Sequence, residues 1–437
     1  MFGNMSRLGS SHRTAGAVMV GAGGSRPGAG SLSRVYNWCQ GHSTDALACT
    51  LGTRGGASLV SWVASSGYLL YGSTDGTAWE LCKTQPFTMG FVVSIAYGNN
   101  IWVASCINKT ITPENVSLDH SLAYSYDGLH WYPVSQDPFA GTKLLFIGCF
   151  AIVFAEGLFV AVGASPSGTT VAYSFDGVYW KPSPDDPASQ VIGGGGDSTL
   201  NYGFSLVYNS GTWLFSFISL VNGGTFYTSY TSHPSSGNWS TILSQPNVTG
   251  VPVLSAYPGK SSWFAFGNGN FHFQTNHPYI IFEPITDFYV SIGSSSNIAE
   301  GTLGEMTNTL VCALENNSNI DLYTSSEGAD GTWTKSPFSI LTDNITCLLY
   351  ADNVWVAGGH GLFYSTDDGN TWVQVNTDNI VNIGYNGTQW QAYSYYSFYY
   401  SAQGVSWKKS ESILSDYILT LQSNVPGTIV AVTYSLK

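Results

Sequence analysis

The sequence predicts an all-β protein: a single β-propeller of four-stranded antiparallel blades, eight by count with seven as the alternative, behind an extended N-terminal arm. Three observations predict it. A short phrase recurs, "AYSYDGLHW" at residues 123–131 and "AYSFDGVYW" at residues 172–180, with looser copies ending at Trp79, Trp239, Trp333, Trp372 and Trp407. Upstream of it, aromatic pairs recur five residues apart: Tyr97 and Trp102, Phe154 and Phe159, Tyr208 and Trp213, Tyr350 and Trp355, Tyr385 and Trp390. The composition, 14% aromatic and 9% charged with 50 glycines in 437 residues, suits short strands and tight turns and leaves little material for exposed helix faces. Repeats of this length decide the architecture before any local reading does.

From the N-terminus, residues 1–50 read as a Gly/Ser-rich basic arm and residues 51–437 as the propeller. All five arginines (Arg7, Arg13, Arg26, Arg34, Arg54) fall at or before Arg54, a stretch in which Asp45 is the only acid, giving +4. From Gly55 onward nine lysines face 26 acids, giving −17, and the two parts sum to the net −13. An acidic body of this kind excludes nucleic acid as a partner, because phosphate neutralisation needs clustered Lys and Arg. The arm cannot build a core of its own, so Arg7, Arg13, Arg26 and Arg34 are candidate contacts to carboxylates or phosphates on a neighbour. Its opening, "MFGNMSRLGSSHRTAGAVMV", lacks the apolar run and small-residue cleavage site of a secretory signal, which removes most of the weight from the sequons at Asn108, Asn115, Asn238, Asn247 and Asn344.

Each repeat reads as strand, tight turn, strand opened by an aromatic, loop, strand ending in Tyr-Ser, Asp-Gly turn, and strand beginning at Trp. Apolar alternation around such turns signals hairpins. Tyr257 and Trp263 are one residue further apart than the other pairs, and a degenerate copy fits residues 263–285. The apolar run at residues 144–155 is too short to span a bilayer, and Glu156-Gly157 supplies a hairpin turn where it ends. The first blade, starting near Ser58, lacks a strand. The tail of residues 417–437 has strand character, and at least one strand from it is expected to pair with the first blade and close the ring, with residues 428–434 pairing within the region of residues 57–82.

The Asp-Gly turn has its own logic. Asp75, Asp127 and Asp176 can fold their carboxylates onto turn N–H groups, while Gly76, Gly128 and Gly177 supply positive φ. The Trp three residues later packs across the turn. This pattern resembles the Asp-box, or sialidase-type, propellers, whose signature is Ser-x-Asp-x-Gly-x-Thr-Trp. Ser365, Asp367, Gly369, Thr371 and Trp372 match it in full. The copies Ser73, Asp75, Gly76, Trp79, then Ser125, Asp127, Gly128, Trp131, and Ser174, Asp176, Gly177, Trp180 are one residue shorter, and those ending at Trp239 and Trp407 have lost the Asp. The resemblance runs from about Ser58 to the C-terminus and implies the fold, with the boxes as structural staples at blade edges. It does not imply sialidase activity: that family grips its substrate carboxylate with an arginine triad, and no arginine follows Arg54. The basic surface of photosystem-assembly propellers of similar repeat type is missing for the same reason.

Other chemistry finds little support. Glycoside hydrolysis needs two carboxylates facing each other, and sequence neighbours such as Asp185-Asp186 or Asp367-Asp368 point apart. His272 and His277 fall on opposite faces of a strand and make no metal pair. Residues 21–30 lack the third glycine of a dinucleotide fingerprint, and residues 193–197 lack the Lys-Ser/Thr of a phosphate-binding loop. The seven cysteines show no ligand spacing and read as buried apolar residues. Thirteen of fourteen tryptophans occupy the two repeat registers and read as core. Ligand contacts are expected instead in the irregular loops at residues 108–120 and 183–201. No catalytic, cofactor-binding or metal-binding residue is assigned, and no membrane insertion is expected.

The missing signal sequence, the low charge of the blades, the boxes and the basic arm together look like a bacteriophage virion protein of the tail. The expected role is a non-catalytic structural component, held through its arm by other virion proteins as one of many copies in a symmetric assembly. Two alternatives stand beside it: a receptor-binding propeller that recognises a host-surface glycan, and a glycan-hydrolysing enzyme.

Overall fold

In a computed structural model the protein is described over residues 59–109, 115–144, 146–188, 201–209, 211–219, 225–245, 253–257, 262–267, 270–275, 283–284, 304–306, 309–316, 319–325, 334–340, 345–367, 369, 371–411, 418–423 and 429–430. The arm and its arginines lie outside the described residues, as does His277 of the histidine pair. Apart from a helical turn at Pro187 and Ala188, the regular elements among them are strands.

The third blade shows the plan. Phe146–Ala155 turns at Glu156-Gly157 into Leu158–Ala164, which pairs with Val171–Ser174, which pairs with Lys181–Pro182, each antiparallel to the last. Seven further units repeat it, making the eight-bladed propeller. Blade two is Phe91–Gly98, Ile101–Lys109, Leu122–Ser125 and Tyr132–Pro133. In blades seven and eight the strands run on: Val354–Ser365 pairs with Ile345–Ala351 through its first half and with Val373–Tyr385 through its second. Val373–Tyr385 in turn continues into blade eight, where it pairs with Trp390–Ser394.

The aromatic pairs are cross-strand partners at the mouths of the first hairpins. Tyr97 faces Trp102, Phe154 faces Phe159, Tyr208 faces Trp213, Tyr350 faces Trp355 and Tyr385 faces Trp390, with ring centroids 4.5 to 5.0 Å apart. Their turns need left-handed backbone, which Asn99-Asn100, Glu156-Gly157 and Asp352-Asn353 adopt at both central positions. The longer fifth copy differs: Tyr257 faces Ser262, and Trp263 faces Ala256.

Closure comes from a strand of residues 417–437, as expected, but that strand is Ile418–Ser423 rather than the segment 428–434. Ile418–Ser423 pairs along the whole of Trp62–Ser66 and completes blade one with Leu69–Ser73 and Glu80–Leu81. Trp62–Ser66 has two edges, and both are then filled. Ile429–Val430 accordingly pairs with Gly384 and Tyr385 of blade eight rather than with residues 57–82. At the seam Trp79 stacks on Phe398 at 4.1 Å, inside a cluster that joins Trp62, Ala64 and Tyr71 of blade one to Tyr393 of blade eight.

Blade faces pack on one another rather than on a central core. Separate apolar clusters join blades one and two, two and three, three and four, and seven and eight. Trp62, Trp102, Trp213, Trp355 and Trp390 of the first register and Trp79, Trp131, Trp180, Trp239 and Trp372 of the second are buried, with Trp407 half-buried, in line with their reading as core.

Candidate functional site

The meander gives each blade two unlike ends. First-hairpin turns and Ser-Asp-Gly turns lie at one end, and the connections from second to third strand and from blade to blade lie at the other. Since the described chain enters at the start of blade one's second strand, it enters at the turn end, where the Leu59 N–H donates to the Asp127 carbonyl.

The Ser-Asp-Gly turns are closed by a repeated set of bonds. In blade two the Gly128 N–H donates to Ser125 Oγ at 2.8 Å, and the Leu129 and His130 N–H groups both donate to Asp127 Oδ1 at 2.8 Å. Trp131 Nε1 donates to the Gly128 carbonyl at 3.1 Å. Blade three repeats all four bonds with Ser174, Asp176, Gly177 and Trp180, and blade seven uses Ser365, Asp367, Gly369, Thr371 and Trp372. Blade one has the Ser73, Asp75 and Gly76 bonds, with Trp79 against Phe398. Blade eight lacks the carboxylate yet keeps Ser401, Gly404 and Trp407 bonded in the same way. In the degenerate fourth copy Trp239 Nε1 reaches across to Ser183 Oγ instead.

These turns are also wedges between blades. A Cβ on Gly177 would lie 2.9 Å from Val103 of blade two, and one on Gly128 would meet Val60 of blade one. At the seam Gln391 Nε2 of blade eight donates to the Gly76 carbonyl of blade one at 3.0 Å. The glycine thus answers two demands, a φ of +75 to +82° and contact with the preceding blade.

A second repeated device, at the loop end, is absent from the sequence reading. Six residues after the turn tryptophan stand Gln85, Asp137 and Asp186. Asp137 Oδ2 accepts the N–H groups of Ser121 (2.5 Å) and Leu122 (2.8 Å), while Oδ1 accepts the Ser121 hydroxyl (2.6 Å) and the Phe139 N–H (2.9 Å). Asp186 makes the same four bonds with Thr170, Val171 and Ala188. Gln85 accepts the Leu70 N–H at 2.8 Å, the equivalent position of blade one. Each clasp ties the start of a third strand to the connection leaving its own blade. The fixed offset from tryptophan, followed each time by proline, is the signal that would have revealed it.

Asp137 and Asp186 are the acids to examine for catalysis, because burial pushes both above the usual carboxylate range, against the pull of their hydrogen bonds. Their oxygens are occupied by donors from their own blades, and an amide does the same work in blade one. That is a structural role. Asp127 in its turn moves the other way: burial would raise it, but the bonds from His130 and Leu129 outweigh burial and hold it below the usual value. Asp185, beside Asp186, sits in left-handed backbone at φ +53°. Cys82, Cys106, Cys149 and Cys347 are buried, with burial raising the thiols of Cys82 and Cys106 to about 12. Among the described residues no cluster of His, Cys, Asp and Glu could hold a metal, and no helix is long and apolar enough to cross a membrane. Of the two candidate ligand loops, residues 108–120 contain the strand Asn115–Leu118, paired with Gly141–Leu144 as a ribbon at the loop end. Residues 189–200 of the other lie outside the described residues.

No family model and no curated protein matches the chain. Among solved structures, the computationally designed Ika8 protein aligns at TM-score 0.42 and 11% identity, covering 81% of this chain and 97% of its own. YCF48 from Cyanidioschyzon merolae aligns at TM-score 0.39 and 16% identity, over 61% of this chain and 87% of its own. An ancestral GH74 enzyme aligns at TM-score 0.40 and 13% identity, over 81% of this chain and 55% of its own. Likeness at this level assigns neither activity nor partner.

Proposed function

We propose that this chain is an Asp-box propeller acting as a non-catalytic structural and interaction protein of a virion, a bacteriophage tail component joined to its particle through the basic N-terminal arm. The observation that carries the non-catalytic part is the occupancy of the repeated carboxylates. Asp75, Asp127, Asp176 and Asp367 close turns, and Asp137 and Asp186 clasp strands, so the acids that recur from blade to blade serve the scaffold. The charge asymmetry supports the arm: +4 up to Arg54 against −17 beyond it favours contact between one copy's arm and the acidic body of another. Deleting residues 1–34 should leave a folded propeller with an unchanged melting temperature that no longer enters particles. Normal copy number of the truncated protein in purified particles would overturn the proposal.

A further inference from the structure

We infer that the outer edge of the cleft between blades two and three is a binding site for a neutral saccharide, walled by Tyr132 and Tyr179, floored by Tyr124, and supplied with a hydrogen-bond acceptor by Asp176 Oδ2. The site goes beyond the arm-mediated role and stands independently of it.

The ladder places the rings. Val103 of blade two is opposite Tyr124, and Tyr124 is opposite Tyr132, so the three side chains share one face of the sheet. Val103 belongs to the core cluster joining blades two and three, and Tyr124 and Tyr126 pack against that cluster beside Val178 of the blade-three turn. The turn is seated there by Gly177, whose missing Cβ leaves room for Val103. Tyr124 therefore lies beneath the turn that carries Asp176 and Tyr179. Its ring centroid is 5.6 Å from that of Tyr132 and 5.7 Å from that of Tyr126. Burial, with Tyr132, Tyr179 and Asp176 nearby, raises the Tyr124 hydroxyl above its usual value.

Two features separate this cleft from the other described ones. The first is ring exposure: Tyr132 is 47% and Tyr179 51% accessible, although both are large aromatics on a well-packed blade. Neither is required by the repeat, since the position after the turn tryptophan holds Glu80, Lys181, Val373 and Lys408 elsewhere, and the position before it holds Ala78, His130, Thr371 and Ser406. The second is the free carboxylate oxygen. Oδ2 is taken by Thr77 on Asp75, by His130 on Asp127 and by Thr371 on Asp367. On Asp176 the turn bonds go to Oδ1, and among the described residues Oδ2 receives no donor because Val178 and Tyr179 stand where the hydroxyl and imidazole stand in other copies. Exposed tyrosine faces beside an unoccupied carboxylate oxygen match a ligand with apolar C–H faces and hydroxyl donors. The negative charge of Asp176 disfavours an anionic sugar.

The test is a printed array of neutral and acidic oligosaccharides probed with the full chain, followed by calorimetric titration of the strongest neutral glycan, with tetramethylammonium titrated in parallel. The expected result is retention of a neutral glycan, weakened at least tenfold by Tyr132→Ala and by Tyr179→Ala at unchanged melting temperature. Asp176→Asn keeps the Oδ1 acceptor of the turn and should weaken binding through Oδ2. Tyr68→Ala, at the loop end of blade one, should leave affinity unchanged. Failure to retain any neutral glycan, affinity that survives Tyr132→Ala and Tyr179→Ala combined, or selective binding of acidic glycans or tetramethylammonium would each overturn the assignment.

Discussion

Replacing Asp137 by Ala tests whether the clasp is structural. The substitution orphans four donors: the Ser121 N–H and hydroxyl, the Leu122 N–H and the Phe139 N–H, on residues that are all buried. An unsatisfied buried donor costs about 1 to 3 kcal/mol, and water entering beside a half-buried aspartate favours the low end, so the sum is about 4 kcal/mol. Asp75→Ala removes bonds from an exposed turn and should cost only about 1 kcal/mol. Urea denaturation at pH 7, followed by tryptophan fluorescence, compares the two through their midpoints. If Asp137→Ala costs no more than Asp75→Ala, about 1 kcal/mol, the clasp is refuted and Asp137 returns to the candidate reactive acids. The pH dependence supplies a second measurement. Because burial raises Asp137 in the folded state, the folded protein holds this proton more tightly than the unfolded chain does. Its contribution is therefore greatest below the ordinary Asp value and declines as pH rises through the raised one. Wild-type stability relative to Asp137→Asn should fall across that window.

Asp127 gives the opposite sign: held below the ordinary value, it stabilises above that value and loses the effect as pH falls through its folded one, so Asp127→Asn should flatten the acid limb of the stability curve. Gly128→Ala places a Cβ against Val60 and 3.1 Å from Trp102 Nε1 in left-handed backbone, and thermal unfolding should show a loss of about 2 to 4 kcal/mol. A neutral outcome there would mean that the turn does not wedge the blades. Removing residues 418–437 uncovers the inner edge of Trp62–Ser66, and the single cooperative transition in calorimetry should broaden or split. Cys82, Cys106, Cys149 and Cys347 should resist a thiol reagent in native buffer at pH 8 and react once urea unfolds the blades.

The architecture was legible because its signals are local. A turn that needs positive φ at Gly128 and an acceptor at Asp127 writes itself into five consecutive residues, and a hairpin writes itself into Tyr97 and Trp102. Each recurs with the blade, so periodicity announced eight units before any contact was known. The closing strand was less legible. Both Ile418–Ser423 and residues 428–434 have strand character, and only the filled edges of Trp62–Ser66 decide between them. The clasp escaped because its partners are remote in sequence, Asp137 reaching back past a whole turn to Ser121 and Leu122, and because Gln85 and Asp137 do the same work with different side chains. The cleft of Tyr132 and Tyr179 escaped for another reason: those residues read as variation around the phrase, and the phrase itself drew the attention.

In a repeated fold, function resides where the repeat leaves side chains free to vary. Positions that recur, such as Ser125, Gly128 and Trp131, are bound to turns and blade contacts, and a blade cannot change them for a ligand without loosening its neighbour. Freedom to acquire a partner therefore belongs to positions the repeat leaves open. Two kinds occur here. The loop end varies in length, from the Ser66 to Leu69 turn of blade one to the ribbon of Asn115–Leu118 and Gly141–Leu144 in blade two. The outer edge varies in side chain, with Tyr132 where blade three has Lys181. Asp176 is both a fixed and an open position, since the turn holds it through Oδ1 while among the described residues Oδ2 receives no donor. A residue so divided is where a scaffold can take on recognition without losing its blade: the turn sets the carboxylate's position at no additional conformational cost, and only its flanking residues need to change.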